Sequence, residues 1–415
     1  MAKILRVIDV AASSDKSWNA VCYFEDVPFH FVFKNTAPEL GDLIEISDSA
    51  YSSNGKESLI IGENASLVAK AQHWPATDND GLRWRLPISH DNPITRMEVL
   101  RKRHVIRSAV RNYLDKQNFI EIDAPLIING APPEIALDTF FVEGHYLITS
   151  TEYQLKRLAI GGVNRLYSLT KNFRNGDEST CRNPEFTMLE WQRVGETMKE
   201  IDNDTEAIAI HALEALKSPL DIVYQGTPLN MRTPWKKTPV FDEVERLTGY
   251  AMKDFELDDC YKAAVAAGIE ISDDWKENKE FLFSILMDTL QPQIGIGAPV
   301  FLTEWPLYQT TTSASVPGKP EIAQRSQLFM AGVEVADGFA DLSDADQQLK
   351  LFNEANKLRV REGKEAVKLD ENYLNSMRLG CAYGAAMAMG FDRLVMILTN
   401  QKEIKDTLAL GWREI

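Results

Sequence analysis

The chain has 415 residues, 44% of them hydrophobic and 26% charged, an ordinary globular composition with length for two or more domains. Its formal net charge of −16 opposes long-range attraction to a phosphate backbone and counts against a generic nucleic-acid binder. No apolar run reaches membrane-span length, MAKILRVIDV lacks the layout of a signal peptide, and Cys22, Cys181, Cys260 and Cys381 are scattered without a CxxC pair. The expectation is a cytoplasmic protein with neither a disulfide framework nor a zinc site.

In chain order, residues 1–72 read as short strands separated by turn signals: LRVIDV, AVCYFED, FHFVF, DLIEIS, SLIIG and SLVAK. Ser53-Asn54-Gly55-Lys56 is a hairpin turn of the asparagine–glycine kind. Many short strands in about 70 residues indicate a small barrel such as an OB-fold, so the chain is divided into an OB-like β-barrel over 1–80 and a second domain over 81–415. Through Asp80 the barrel holds 6 Lys/Arg against 12 Asp/Glu, the wrong balance for a groove that grips single-stranded RNA, and a structural or protein-docking role is the plainer reading.

A helix follows, with Thr95 and Glu98 as a capping box and Met97, Leu100, Ile106, Val110, Tyr113 and Leu114 at helical spacing; FIEIDAP is then a strand stopped by Pro125. HYLITSTEYQLKRLAI reads as a strand entering a helix, with Ser150 or Thr151 as cap and Glu152 as a first-turn charge. NRLYSLTKNFR is a strand leading into NFRNGDESTCRNPEFTMLE, a polar loop between two strand-like runs. In the second run Phe186, Met188 and Glu190 are two apart and share a face. An aromatic ring, a carboxylate and the guanidinium of Arg174 on the neighbouring strand are parts for gripping a nucleotide together with an amino acid. Residues 200–295 read as a largely helical insertion without a catalytic signature.

The last third returns to strands. PVFLTEWP is one, and QLFMAGVEVADGFADL another, bearing Glu334 in an apolar run, where a carboxylate must be paired or bound to a metal. In YGAAMAMGFDRLVMIL small residues precede Gly390 and Asp392-Arg393, so that a ligand can approach the backbone and an arginine at a strand-to-helix junction can hold phosphates.

The strand ending FRN, the NPEFTMLEW strand and the run closing in GFDRLVMIL together resemble motifs two and three of class II aminoacyl-tRNA synthetases, and the helix ending in FIEIDAP resembles motif one. Within that class, TSTEYQLKRLAIGGVNRLYSL and FRN…RNPEFTMLEW resemble the lysyl-tRNA synthetase branch and its paralogue, the ligase that attaches β-lysine to elongation factor P. The resemblance covers residues 92–415. It implies an α+β fold, an antiparallel sheet flanked by helices, preceded by the OB-like barrel, and dimerisation through motif one.

It also implies amino-acid activation, in which a carboxylate attacks the α-phosphate of ATP and an acceptor then takes the aminoacyl group. Position by position, Arg174 is expected to bridge the substrate carboxylate and α-phosphate, Phe186 to stack on adenine with Arg182 and Asn183 nearby, and Arg393 to hold the ring's other face or the γ-phosphate. Glu334, with Gln327, is expected to bind Mg²⁺. Glu152 is expected to hold the α-ammonium, with Glu190 and Asp341 facing a side-chain amine and Gln192, Asp337 and Phe339 completing the pocket. Departures are Gly176 where the family has glutamate, Arg182 for histidine, Gln327 for a second metal carboxylate, Ala386 and Ala388 for glycines, Gln192 for tyrosine, Asp337 for asparagine, and Asp341 for glutamate. Convergence of Glu190, Asp337 and Asp341 predicts a strongly anionic pocket for a cationic amino acid. The acidic barrel and altered pocket indicate a protein lysine or small amine as acceptor; the retained barrel indicates tRNA; Gln327 and Gly176 fit an inactive regulatory scaffold.

Overall fold

The computed structural model describes residues 94–415 except 136 and 274, and in the N-terminal region residues 3–12, 17–24, 27–34, 38–39, 42–46, 59–61 and 65–70. The chain forms two compact units, Met1–Val99 and Leu100–Ile415. The division anticipated near residue 80 and the turn at Ser53-Asn54-Gly55-Lys56 lie outside the described residues.

The described residues of the first unit up to Ala69 form an OB-like β-sheet. It has β1 (Lys3–Ala12), β2 (Ser17–Phe24), β3 (Val27–Lys34), β4 (Leu43–Ile46), β5 (Leu59–Ile61) and β6 (Ala65–Ala69), ordered β5-β3-β2-β1-β4-β6. β3 and β5 pair in parallel and the other neighbours antiparallel. Alternate residues build the core: Leu5 with Val7, Ala20 with Cys22, and Phe31 with Phe33.

Helix α1 (Arg96–Lys116) opens on the expected capping box, the Thr95 N–H donating to Glu98 Oε2 at 2.7 Å and the Glu98 N–H to Thr95 Oγ1 at 3.1 Å. The FIEIDAP strand is only β7 (Ile120–Glu121). A small sheet follows of β8 (Ile127–Ile128), β9 (Phe141–Val142) and β10 (His145–Leu147). Then come α2 (Glu152–Ile160), β11 (Arg165–Phe173), β12 (Glu185–Val194) and α3 (Met198–Ala215). The stretch expected to be largely helical also holds strands: the hairpin β13 (Asp221–Tyr224) and β14 (Thr227–Asn230), and β15 (Lys236–Pro239). Helices α4 (Val240–Thr248), α5 (Leu257–Ala266) and α6 (Lys279–Leu290) share one core, Val240, Val244, Cys260, Phe283 and Leu286, with Leu302 and Phe329 of the main sheet. Helix α3 also packs on the main sheet.

The remaining elements are β16 (Val300–Pro306), β17 (Ser315–Val316), β18 (Lys319–Met330), β19 (Val333–Ala340), α7 (Ala345–Arg361), α8 (Glu371–Met377), β20 (Gly384–Gly390) and α9 (Phe391–Leu398). The run QLFMAGVEVADGFADL, anticipated as one strand, is a hairpin. Ala331 and Gly332 both have positive φ (48° and 79°), the backbone of a two-residue turn whose twist suits the flanking strands. The main sheet runs β15-β16-β18-β19-β20-β12-β11-β7 with β17 against β18, antiparallel except for the β15–β16 and β11–β7 pairs at its two edges. At its middle, β19 and β20 approach closely: a Cβ on Gly338 would lie 2.5 Å from the Ala386 carbonyl oxygen, so only glycine fits there. A buried ion pair joins sheet to helix. Arg193 on β12 donates through Nε and Nη2 to Asp204 on α3 (2.6 and 2.8 Å), and Tyr113 Oη of α1 donates to the same carboxylate at 2.7 Å. No described helix is long and apolar enough to cross a membrane.

Candidate active site

Strand β12 lies between β11 and β20, and its pleat sets Phe186, Met188, Glu190 and Gln192 along one face. Over this face opens a cavity of about 350 Å³, within the range of small-molecule sites, walled by Arg174, Phe186, Gln327, Glu334 and Arg393 among others. A recess of about 40 Å³ is walled by Glu190, Gln192, Ala386 and Ala388, and Ser150, Glu152, Asp337, Phe339 and Ala388 border both spaces. The anticipated nucleotide residues therefore gather at the cavity, and most of the anticipated amino-acid residues at the recess.

At the cavity, Arg174 follows directly on β11, its guanidinium 5.1 Å from the Phe186 ring centroid. Burial holds this arginine below its ordinary pKa, and among the described residues its Nε has no hydrogen-bond partner. A buried donor of this kind is costly unless a ligand meets it. Arg393, in the first turn of α9, donates to the carbonyls of Cys181 (3.2 Å) and Glu334 (2.9 Å) and lies 3.7 Å from the Glu334 carboxylate. Its neighbour Asp392 is structural: it accepts from the Thr187 N–H at 2.8 Å and pairs with Arg103 at 2.6 Å, tying α9 to β12 and α1. Arg182 reaches Asp177 at 3.1 Å, while Asn183 donates to the Glu185 carbonyl at 2.6 Å and accepts from the Trp412 N–H at 3.0 Å.

Among the described residues no group of three or more His, Cys, Asp or Glu suits a metal by itself. Glu334 and Gln327, both on the cavity wall, supply one charged and one neutral oxygen. That set fits Mg²⁺, which takes one or two protein oxygens and completes its octahedron with phosphate and water.

The recess departs from the anticipated anionic pocket because cations of the protein already pair with most of the carboxylates around it. Asp337 forms a two-pronged pair with Arg325 (2.8 and 2.7 Å). Lys156 Nζ lies 2.7 Å from Glu152 Oε1 and 3.1 Å from Asp341 Oδ1, the latter an ion pair whose angle falls short of a hydrogen bond. Asp341 was expected to face a substrate amine; it is buried, walls neither space, and accepts from Gln192 Nε2 at 2.7 Å through its other oxygen. Phe339 has Lys156 Nζ 5.2 Å from its ring centroid. Burial opposes the Lys156 charge, but Glu152, Tyr373 and Asp341 outweigh it and hold the ammonium well above its ordinary pKa. Among the described residues, Glu190 alone of these carboxylates has no paired cation: it accepts from Thr151 N–H (3.0 Å) and Thr151 Oγ1 (2.9 Å), and burial pushes it up to about 7 against these bonds. Thr151 is thereby committed to Glu190 and does not cap α2, while Ser150 Oγ accepts from the Glu152 N–H at 3.1 Å.

Three charged residues here were not singled out in the sequence. Lys156 had a signal, since it stands four residues after Glu152 on one helix face. Arg325 stands two residues before Gln327 and so shares its strand face. Glu134 had none: it is a loop carboxylate on the cavity wall, pushed up to about 7 by burial and then by Glu152. Thr149 Oγ1, Gln154 Oε1 and Gln192 Oε1 join Arg174 Nε as buried polar atoms without partners in residues that wall these spaces. Such a concentration marks a ligand site, because buried polar groups are otherwise satisfied. A stacked guanidinium with a free donor suits an anion beside a planar ring, and a buried carboxylate with a free amide oxygen suits an ammonium.

The comparisons agree with this geometry. The family model for tRNA synthetases class II (D, K and N) matches residues 92–412. The chain is 28% identical over 387 residues to a lysine–tRNA ligase of Carboxydothermus hydrogenoformans, covering 89% of this chain and 78% of the relative. It is 30% identical over 393 residues to that of Pelotomaculum thermopropionicum (89% and 75%), and 26% identical over 412 residues to that of Christiangramia forsetii (94% and 71%). With that match across nearly all of its second unit, the chain belongs to the class II tRNA synthetase family (D, K and N) and is an aminoacyl-adenylate-forming ligase.

Proposed function

We propose that the chain activates a cationic, lysine-like amino acid with ATP and transfers it to an amine on a protein or small molecule. The observation carrying the cationic side chain is Glu190, a buried recess carboxylate held only by neutral donors. Among the described residues, the carboxylates Glu152, Glu190, Asp337 and Asp341 around the recess meet two cations, Lys156 and Arg325, so an incoming ammonium improves the balance. Relatives named lysine–tRNA ligase support the same side chain.

In this reading the substrate carboxylate attacks the α-phosphate and pyrophosphate leaves. Arg174 holds the attacking carboxylate against the α-phosphate and offsets the charge that builds there. Phe186 supports the adenine with Asn183 and Arg182 beside it, Arg393 lies against the nucleotide, and Glu152 takes the α-ammonium. Mg²⁺ held by Glu334 and the Gln327 amide oxygen would supply charge neutralisation on the phosphates. The exposed apolar side chains Ile120, Ile127, Phe141 and Val142 support a homodimer formed through the motif-one region.

A non-tRNA acceptor is supported by the net charge of −16 and by the acidic first 80 residues. The names of the relatives and the OB-like unit favour tRNA as a second reading. ATP–pyrophosphate exchange over the common amino acids, β-lysine and ornithine tests activation, and exchange with none of them sinks it. Radiolabelled amino acid offered to bulk tRNA, elongation factor P and small amines then decides the acceptor; tRNA charging at synthetase rates would refute the first choice.

A further inference from the structure

We propose that Lys156 is a positioning residue for side-chain recognition: it fills the cation position on Asp341 and so leaves Glu190 and the Gln192 carbonyl as the acceptors for the amine of the bound amino acid. The inference rests on the reading of the enzyme as an activator of cationic amino acids. Both Asp341 oxygens are engaged, one by Lys156 Nζ and the other by Gln192 Nε2, and the side chain is buried behind the recess. A substrate ammonium therefore meets no open face of Asp341.

The same arrangement orients Gln192. Its amide nitrogen must point at the Asp341 carboxylate, because the flipped amide would set two acceptors against each other. Its Oε1 is consequently left buried and without a partner, in a residue that walls the recess only two positions from Glu190 on the same strand face. An ammonium, with three donors, can satisfy both the Glu190 carboxylate and this orphaned oxygen. The chain of contacts runs from Lys156 to Asp341 to Gln192 to substrate, joining α2, the residue after β19 and β12.

The test is ATP–pyrophosphate exchange with lysine, ornithine, 2,4-diaminobutyrate and norleucine, in the full-length wild type and the variants Lys156→Met and Gln192→Met. Lys156→Met uncovers Asp341, and the lysine to 2,4-diaminobutyrate ratio of kcat/KM is expected to rise at least about tenfold, as for a new bond to a charged group, with the KM for ATP within about twofold. Gln192→Met is expected to raise the KM for the preferred diamino acid at least about tenfold, with little change for ATP. A folded Lys156→Met enzyme with unchanged preference overturns the proposal, as does Gln192→Met with an unchanged KM. If Lys156→Met does not fold, Gln192→Met decides alone. Absence of exchange by the wild type with every diamino acid overturns the underlying reading and this inference with it.

Discussion

Replacing Glu190 by glutamine should strengthen the fold while weakening the site. The carboxyl is buried and pushed from the ordinary 4.5 to about 7. Its folded value lies above its unfolded one, so between these two pH values the folded state binds more protons. The group's contribution to stability therefore falls as pH rises from about 4.5 and levels off above about 7. A shift of this size corresponds to roughly 3 kcal/mol lost at pH 8, an upper figure for a group with the Thr151 N–H and the Thr151 and Ser150 hydroxyls around it. In Glu190→Gln the amide oxygen can still accept from the Thr151 N–H, and the Thr151 hydroxyl can turn to accept from the amide nitrogen. Unliganded protein should melt a few degrees higher than wild type at pH 8 and nearly the same at pH 5. Exchange assays on the same preparations should show a KM for the cationic amino acid raised at least about tenfold, with the KM for ATP little changed. Scanning calorimetry at the two pH values checks the first part. A variant equally or less stable at pH 8, with the wild-type pH slope, would refute the assignment of Glu190 as a strained, uncompensated carboxylate.

Arg174→Ala should cut exchange by about a hundredfold or more, as loss of a charge-stabilising donor does. Its melting temperature should not fall, because the buried Nε has no partner to lose; wild-type exchange would remove the basis of the assignment. Asp204→Ala should lower unfolding free energy by about 1.5–3 kcal/mol in urea titration, because Arg193 loses two of its carboxylate bonds and keeps the one to Glu196 at 2.8 Å; a loss under about 1 kcal/mol would show that the pair is not a structural tie. Light scattering after size exclusion should report twice the chain mass, and a monomer would contradict dimerisation through the motif-one region.

Local order was readable in the sequence wherever neighbours along the chain decide it. The six strands of the first unit follow from alternating apolar residues, and the capping box at Thr95 and Glu98 joins residues three apart. The β11–β12 hairpin carries Arg174 and Phe186 on contiguous chain, so its motif could be matched, while the contact between the guanidinium and the ring came only with the structure. Ala331-Gly332 shows a limit even at this range: an apolar run on both sides hid a two-residue turn that needs two positive φ angles. β15, amid helical patterns, was missed because its strand character comes from a parallel partner, β16, far along the chain.

The sequence by itself determined the family, the antiparallel sheet and the collection of charged residues around one cleft. Which charge meets which was decided only by the tertiary structure. Gln192 reaches Asp341 across 149 positions, and Lys156 on α2 meets the same carboxylate just past the end of β19. Residue type announces that Asp337 and Asp341 are acids, but not that Arg325 and Lys156 already neutralise them. An ion pair in a protein interior depends on a few ångströms of separation and on exclusion of water, and both arise only when distant segments pack.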